Sequence, residues 1–150
     1  MVLTGGPGAH DKALGDAIEK VVLITNMIGK TKPKQLLALI ECADVLLCPD
    51  TGPAHVATAV STPVVALHAV TSARVSGPYL YQHLAVDGYP DAVRTVLKST
   101  PDTIRWGTQV HGNDTMKLIS VDAVIAKLET VLSQSYCRHK SHCSFPASSS

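Results

Sequence analysis

The chain has 150 residues, 45% of them hydrophobic, and carries 13 basic against 12 acidic side chains for a net charge of +1. A chain of this length sustains one core and buries about 70% of its unfolded surface. The balanced charge, with no basic run interleaved with aromatics, excludes a nucleic-acid footprint. No apolar run approaches the roughly 20 residues that span a bilayer, and the N-terminus lacks a basic-then-apolar leader, so a cytoplasmic protein with no transmembrane segment is expected. Of the four cysteines, Cys42 and Cys48 fall inside apolar elements and read as reduced thiols, not as a disulfide framework.

Taken in order, Met1 to Leu3 reads as the end of a strand that runs into the turn Gly5-Gly6-Pro7-Gly8. A helix is expected over about 11–20, with Ala13, Leu14, Ala17, Ile18 and Val21 as the face laid on a sheet. Val21 to Ile24 is a short β-branched strand and Asn26 to Lys32 a loop. Thr31 can N-cap a helix that Pro33 helps to start and that ends near Cys42, with Leu36, Leu39, Ile40 and Ala43 buried.

The stretch from Ala43 to Leu67 then reads as strand, tight turn, helix and strand. Val45 to Cys48 is a continuous apolar run, which suits a strand buried on both faces of a parallel sheet. Asp50 is a fitting N-cap, Pro53 is tolerated in the first helical turn, and Val56, Ala57 and Val60 form an apolar stripe. Thr62-Pro63 ends the helix and Val64 to Leu67 is the next strand. Ligands of open parallel sheets lie beyond the carboxyl ends of the strands, and that edge here carries Asp50, Thr51, Gly52 and His55. The unpaired N–H groups and partial positive charge of a helix start favour an anion such as a diphosphate. Gly52 lets a phosphate approach the backbone, the Thr51 hydroxyl can donate to it, and His55 lies about one turn on.

Beyond Leu67 lies a loop, followed by an edge strand over His83 to Val86 and an irregular region from Tyr89-Pro90 onward. Ser120 is a clear N-cap for an amphipathic helix with Val121, Val124, Ile125, Leu128, Val131 and Leu132 at helical spacing. The serine-rich segment 134–150 is expected to be a disordered polar tail. Its Cys137, His139, His142 and Cys143 do not follow the spacing of zinc fingers or ribbons, so no metal site is expected.

The run Asp50-Thr51-Gly52-Pro53-Ala54-His55, together with Ile28-Gly29-Lys30-Thr31 before it and Ser61-Thr62-Pro63-Val64-Val65-Ala66-Leu67 after it, resembles glycosyltransferase family 9. That family holds the ADP-heptose:lipopolysaccharide heptosyltransferases. Order and spacing agree from Gly5 to Tyr79. The resemblance implies an α/β fold with a doubly wound, Rossmann-like parallel sheet, the C-terminal donor-binding half of a two-domain GT-B enzyme. On this reading 1–133 form the donor domain, and its first strand and the acceptor domain, with the general base, lie outside the chain. The isolated chain is then expected to be inactive.

What the resemblance implies about residues follows the matched positions. Thr51, Gly52 and His55 would meet the donor diphosphate, and Asp50 and Asp11 its sugar and ribose hydroxyls. The family usually has glutamate where Asp11 aligns, so the carboxylate here stands one methylene closer to the backbone. Lys30 and Thr31 border the nucleotide pocket. The usual G-P-T-D-P-x-R loop is represented by His68 to Arg74, with Thr71 and Arg74 kept in register and the aspartate gone. The family needs no cofactor and no metal. The implied substrates are ADP-heptose and a lipid-linked lipopolysaccharide acceptor, with the parent enzyme peripheral at the inner face of a Gram-negative inner membrane. Two alternatives stay open: a non-catalytic nucleotide-sugar binding module, and a GT-B enzyme using a uridine nucleotide.

Overall fold

The computed structural model describes residues 1–112 and 114–135. The chain divides into two compact units, one from Met1 to Leu39 and one from Ile40 onward. Each is described by itself. The segment 136–150, with Cys137, His139, His142 and Cys143, lies outside the described residues.

In the first unit β1 (Val2–Leu3) pairs in parallel with β2 (Thr25–Asn26), and α1 (Ala9–Glu19) connects them. The strand expected over 21–24 is not one. The N–H groups of Val21 and Val22 both bond to the Ile18 carbonyl and close the end of α1, and Val21 and Leu23 are exposed. β-branching favours a strand only where a partner backbone is available, and β1 offers its pairing to Thr25 and Asn26 instead. The packed face of α1 is also rotated from the expected one. Leu14 is exposed, whereas Gly15 is buried, and a Cβ there would lie 2.6 Å from Ile28 Cδ1 and 3.0 Å from Asn26 Nδ2. The close approach that a missing side chain permits has outweighed the apolar periodicity.

Thr31 does not start the next helix, α2 (Pro33–Glu41). Lys32 occupies the cap position, its carbonyl accepting from Gln35 and Leu36 and its own N–H donating to Gln35 Oε1 at 2.9 Å. This is the reciprocal half of a capping box, in which the third helical residue serves the orphan N–H that a hydroxyl cap would leave. The expected stripe holds: Ile40 is buried and Leu36, Leu39 and Ala43 are half-buried. Cys42 is exposed and Cys48 buried.

The second unit is built on a three-stranded parallel sheet in the order β3 (Leu46–Pro49), β4 (Val64–His68), β5 (Val86–Asp87). Parallel neighbours need crossovers, and α3 (Gly52–Ala59) supplies the first. Val64, Val65 and Ala66 of the central strand are wholly buried, whereas β3, expected to be buried on both faces, buries only Cys48 and leaves Leu47 45% exposed, because it lies at the edge of this sheet among the described strands. β5 begins later than expected, because 79–84 wind into a 3-10 turn that includes His83 and buries Leu84. The region from Tyr89 onward, read as irregular, opens with α5 (Tyr89–Ala92), which continues as a π turn over Val93–Leu97. Tyr89, Ala92 and Val93 pack there with Val110, Ile104 and Leu118. The helical stretch is too short to display a period.

Ser120 caps α6 (Val121–Ser135) as expected, its Oγ accepting from the Ala123 N–H at 3.2 Å. Val124, Leu128 and Val131 pack with Val65, Leu67, Leu84 and Val86, while Val121, Ile125 and Leu132 remain exposed. Residues 134 and 135, assigned by sequence to the tail, complete the last turn of α6.

The end of α3 is a Schellman motif: Thr62 N–H bonds to Ala57 O and Ser61 N–H to Thr58 O. The motif puts Ser61 in the left-handed region at φ 59°. Ser61→Gly is therefore expected to stabilise the protein by about 0.5 to 1 kcal/mol in urea titration, after the extra freedom of glycine in the unfolded chain is discounted. No gain in the unfolding midpoint would show that the serine is unstrained there.

Candidate functional site

Short α4 (Ala73–Ser76) follows β4, with Ser72 Oγ accepting from the Arg74 N–H at its start. The register of the second sheet places Pro49 opposite Leu67 and His68 opposite Asp87. Asp50 therefore leaves β3 on the same edge on which His68 ends β4 and Asp87 ends β5, and α4 closes over that edge with Thr71 and Ser76.

Asp50 does not cap α3, as the sequence suggested. Thr51 holds the cap position, with no side-chain cap bond, and its hydroxyl donates to Pro49 O at 3.1 Å. The Asp50 side chain turns the other way because better donors stand there. Its Oδ2 accepts from the Thr71 hydroxyl and from Ser76 Oγ at 2.6 Å, and His68 Nδ1 lies 3.6 Å away. Partial burial pushes the Asp50 carboxyl up, but the hydrogen bonds from Ser76 and Thr71, helped by His68 and His55, hold it below the ordinary carboxylate range. It is an anion at neutral pH.

With Asp50 engaged elsewhere, α3 starts with no side chain on its first N–H groups. A Cβ on Gly52 would meet nothing within 4 Å, so that backbone is open to a close ligand. His55 is exposed, and its charge is felt at both Asp50 and His68. Burial pushes the neighbouring Cys48 thiol up to about 11, opposed by a hydrogen bond with Thr51, so it is no nucleophile at neutral pH. Asp50, Thr51, Gly52 and His55 are thus brought together at one strand edge.

Asp11, Lys30 and Thr31 belong to the first unit. Asp11 accepts from the Gly6 N–H at 2.8 Å and so ties the Gly-rich turn to α1. Lys30 Nζ donates to Asn26 O at 2.9 Å, and Thr31 is half-buried in the loop before α2.

The sequence reading missed His68, Ser76 and Asp87. His68 has no exposed side-chain surface, and Asp87 accepts from Ala73 N–H at 3.2 Å, Ser72 Oγ at 3.4 Å and Tyr89 N–H at 3.0 Å. A histidine ending a buried strand in line with a preceding strand's aspartate was the available signal.

The model of the family described as glycosyltransferase family 9 (heptosyltransferase) matches residues 1–102. Lipopolysaccharide core heptosyltransferase OpsX of Haemophilus influenzae is 34% identical over 119 residues, which cover 76% of this chain and 34% of that protein. Lipopolysaccharide heptosyltransferase 3 of Escherichia coli K12 is 42% identical over 74 residues, 47% of this chain and 22% of that protein. Among solved structures, that of E. coli ADP-heptose lps heptosyltransferase II superposes with a TM-score of 0.63 at 25% identity, over 91% of this chain and 37% of that one. The chain spans about a third of the length of OpsX and of the solved structure. With parallel sheets flanked by helices in a Rossmann-like α/β arrangement, and with the family match running from β1 past β5 to residue 102, the chain belongs to glycosyltransferase family 9.

Proposed function

We propose that the chain binds the nucleotide-sugar donor of an inverting GT-B glycosyltransferase that transfers heptose from ADP-heptose to the lipopolysaccharide core. The observation that carries this reading is the uncapped start of α3 beside a charged Asp50 on one strand edge. An uncapped helix start takes an anion, and a carboxylate takes hydroxyls. The diphosphate of the donor lies at Thr51, Gly52 and His55, and the sugar hydroxyls at Asp50. By family resemblance Asp11, Lys30 and Thr31 serve the ribose and nucleotide.

In the reaction the acceptor hydroxyl oxygen forms a bond to the anomeric carbon as the bond from that carbon to the diphosphate breaks. ADP leaves with the electron pair, and a general base takes the hydroxyl proton. The departing diphosphate gains negative charge, which the N-terminus of α3 and a protonated His55 would stabilise more than they stabilise the bound donor. Activation of the acceptor hydroxyl is assigned to a further domain of the enzyme, at the cytoplasmic face of the inner membrane, and the donor half alone is inactive.

Calorimetric titration of the chain with ADP, UDP and ADP-heptose tests the reading. ADP and ADP-heptose are expected to bind, and His55→Ala to weaken both by about 1 to 3 kcal/mol, the scale of a charge-assisted hydrogen bond. Binding of neither, or a preference for UDP, sinks the assignment of this site to an adenosine nucleotide sugar.

A further inference from the structure

Among the described residues, the side chains that hold the Asp50 carboxylate approach it from one side. The Thr71 and Ser76 hydroxyls and His68 Nδ1 all meet the same oxygen, Oδ2. Both hydroxyls donate to Asp50, and the Ser76 hydroxyl also donates to Thr71 Oγ1 at 3.2 Å, so the two are held together. His68 is fully buried, and neither of its ring nitrogens makes a well-formed hydrogen bond among the described residues. At 3.6 Å its Nδ1 is just beyond hydrogen-bond reach of Oδ2, so a small side-chain shift closes the gap.

The other nearby carboxylate does not compete for that nitrogen. Asp87 is committed to the N–H groups of Ala73 and Tyr89 and to the Ser72 hydroxyl. Besides a weak contact with the Thr71 backbone, the Nδ1–H tautomer of His68 therefore has Asp50 as its side-chain acceptor.

Resting on the reading of Asp50 as the ligand of the sugar hydroxyls, we propose that Thr71, Ser76 and His68 are positioning residues. They fix the Asp50 carboxylate with Oδ2 turned inward and Oδ1 presented to the donor sugar. A carboxylate free to rotate about its terminal bond offers its lone pairs in many directions, and a bound sugar hydroxyl must then order it. Saturating one oxygen sets the plane of the group before the ligand arrives. These three residues touch no ligand themselves, and through Asp50 they determine how strongly the site distinguishes a nucleotide sugar from its bare nucleotide. His68 completes the set by closing its 3.6 Å gap when the sugar draws on Oδ1.

Calorimetry of the full chain and its Ser76→Ala, Ser76→Thr and His68→Leu variants with ADP and ADP-heptose tests this. Thermal melting first establishes that each variant is folded. Ser76→Ala and His68→Leu are expected to weaken ADP-heptose about tenfold or more while ADP affinity stays within about twofold, and Ser76→Thr to restore binding. A merely structural role would move both ligands together, and that outcome, or no change for either, overturns the proposal. If wild type binds neither ligand, the donor reading has failed and the positioning role is judged by carboxyl 13C titration of Asp50. Its midpoint must then rise in Ser76→Ala and His68→Leu, and an unmoved midpoint overturns the proposal on its own.

Discussion

Gly77→Ala is expected to destabilise the protein by about 3 kcal/mol, at the upper end of the usual penalty for overpacking. A Cβ at this position would lie 2.2 Å from the Ala73 carbonyl oxygen and 3.1 Å from its carbon. That obstacle is backbone, so no rotamer change relieves it. The carbonyl is also fixed from two sides, accepting from the Gly77 N–H at 2.8 Å and from Gln82 Nε2 at 3.0 Å. Any shift large enough to admit a methyl group breaks one of these bonds and moves Ser76, the preceding residue, away from Asp50. The unfolding midpoint in urea measures the first effect, and donor affinity should fall with it. A variant within about 0.5 kcal/mol of wild type would mean that α4 is far softer than its contacts imply.

His68→Leu should act in the opposite direction and raise stability at neutral pH by about 1 to 3 kcal/mol. Among the described residues the two ring nitrogens of His68 make no well-formed hydrogen bond, only a weak contact with the Thr71 backbone, so they lose their water on folding for little return, and each such group costs about that much. Leucine is close to histidine in volume and suits a strand end with no exposed surface. The pH dependence gives a second check. Burial holds the His68 imidazole below its ordinary value near 6.5, against the pull of Asp50 and Asp87. A base depressed in the folded state binds its proton more readily in the unfolded chain, so wild-type stability falls as pH drops below about 6.5. The leucine variant should lose that part of the slope. Asp50 has the reverse assignment, an acid held low by Ser76 and Thr71 despite partial burial. Its stabilisation is present above its unfolded value of 3.8 and is lost only as pH falls through the still lower folded value. If His68→Leu proves less stable than wild type at pH 7, the ring nitrogens have partners in solution and the packing around β4 must be reconsidered.

The gain in stability and the loss of ligand discrimination expected from one substitution express a single fact. Both outcomes together would assign His68 to the proposed donor site more than to the core.

The fold was readable where local chemistry acts alone. The apolar run before Asp50, the proline in the first turn of α3 and the Ser120 cap each specify their element without distant help. Reading failed where the deciding contact is remote or depends on a missing atom. The face of α1 turns on Gly15 and its neighbours across the unit, not on the period of Leu14, Ala17 and Ile18. The candidate site was half legible for the same reason. Asp50, Thr51, Gly52 and His55 are consecutive or nearly so, and a strand-to-helix junction announces them. The groups that orient Asp50 lie 18 to 26 positions away in sequence, and only the pairing of β3 with β4 brings them in. Asp50 itself looked like a cap because its better partners were out of view.

That pairing has a thermodynamic meaning of its own. Asp50, His68 and Asp87 are neighbours only when two separate ladders have closed in register, Pro49 beside Leu67 and His68 beside Asp87. A slip of one residue in either ladder would turn every side chain of the shifted strand to the opposite face. A ligand gripped at this edge therefore recognises the finished sheet and no partly zipped form of it. At a hundred times its dissociation constant it would add about 2.7 kcal/mol to the stability of the unit. Occupancy of the site and correct strand register become one equilibrium, and thermal melting with increasing ligand would report both.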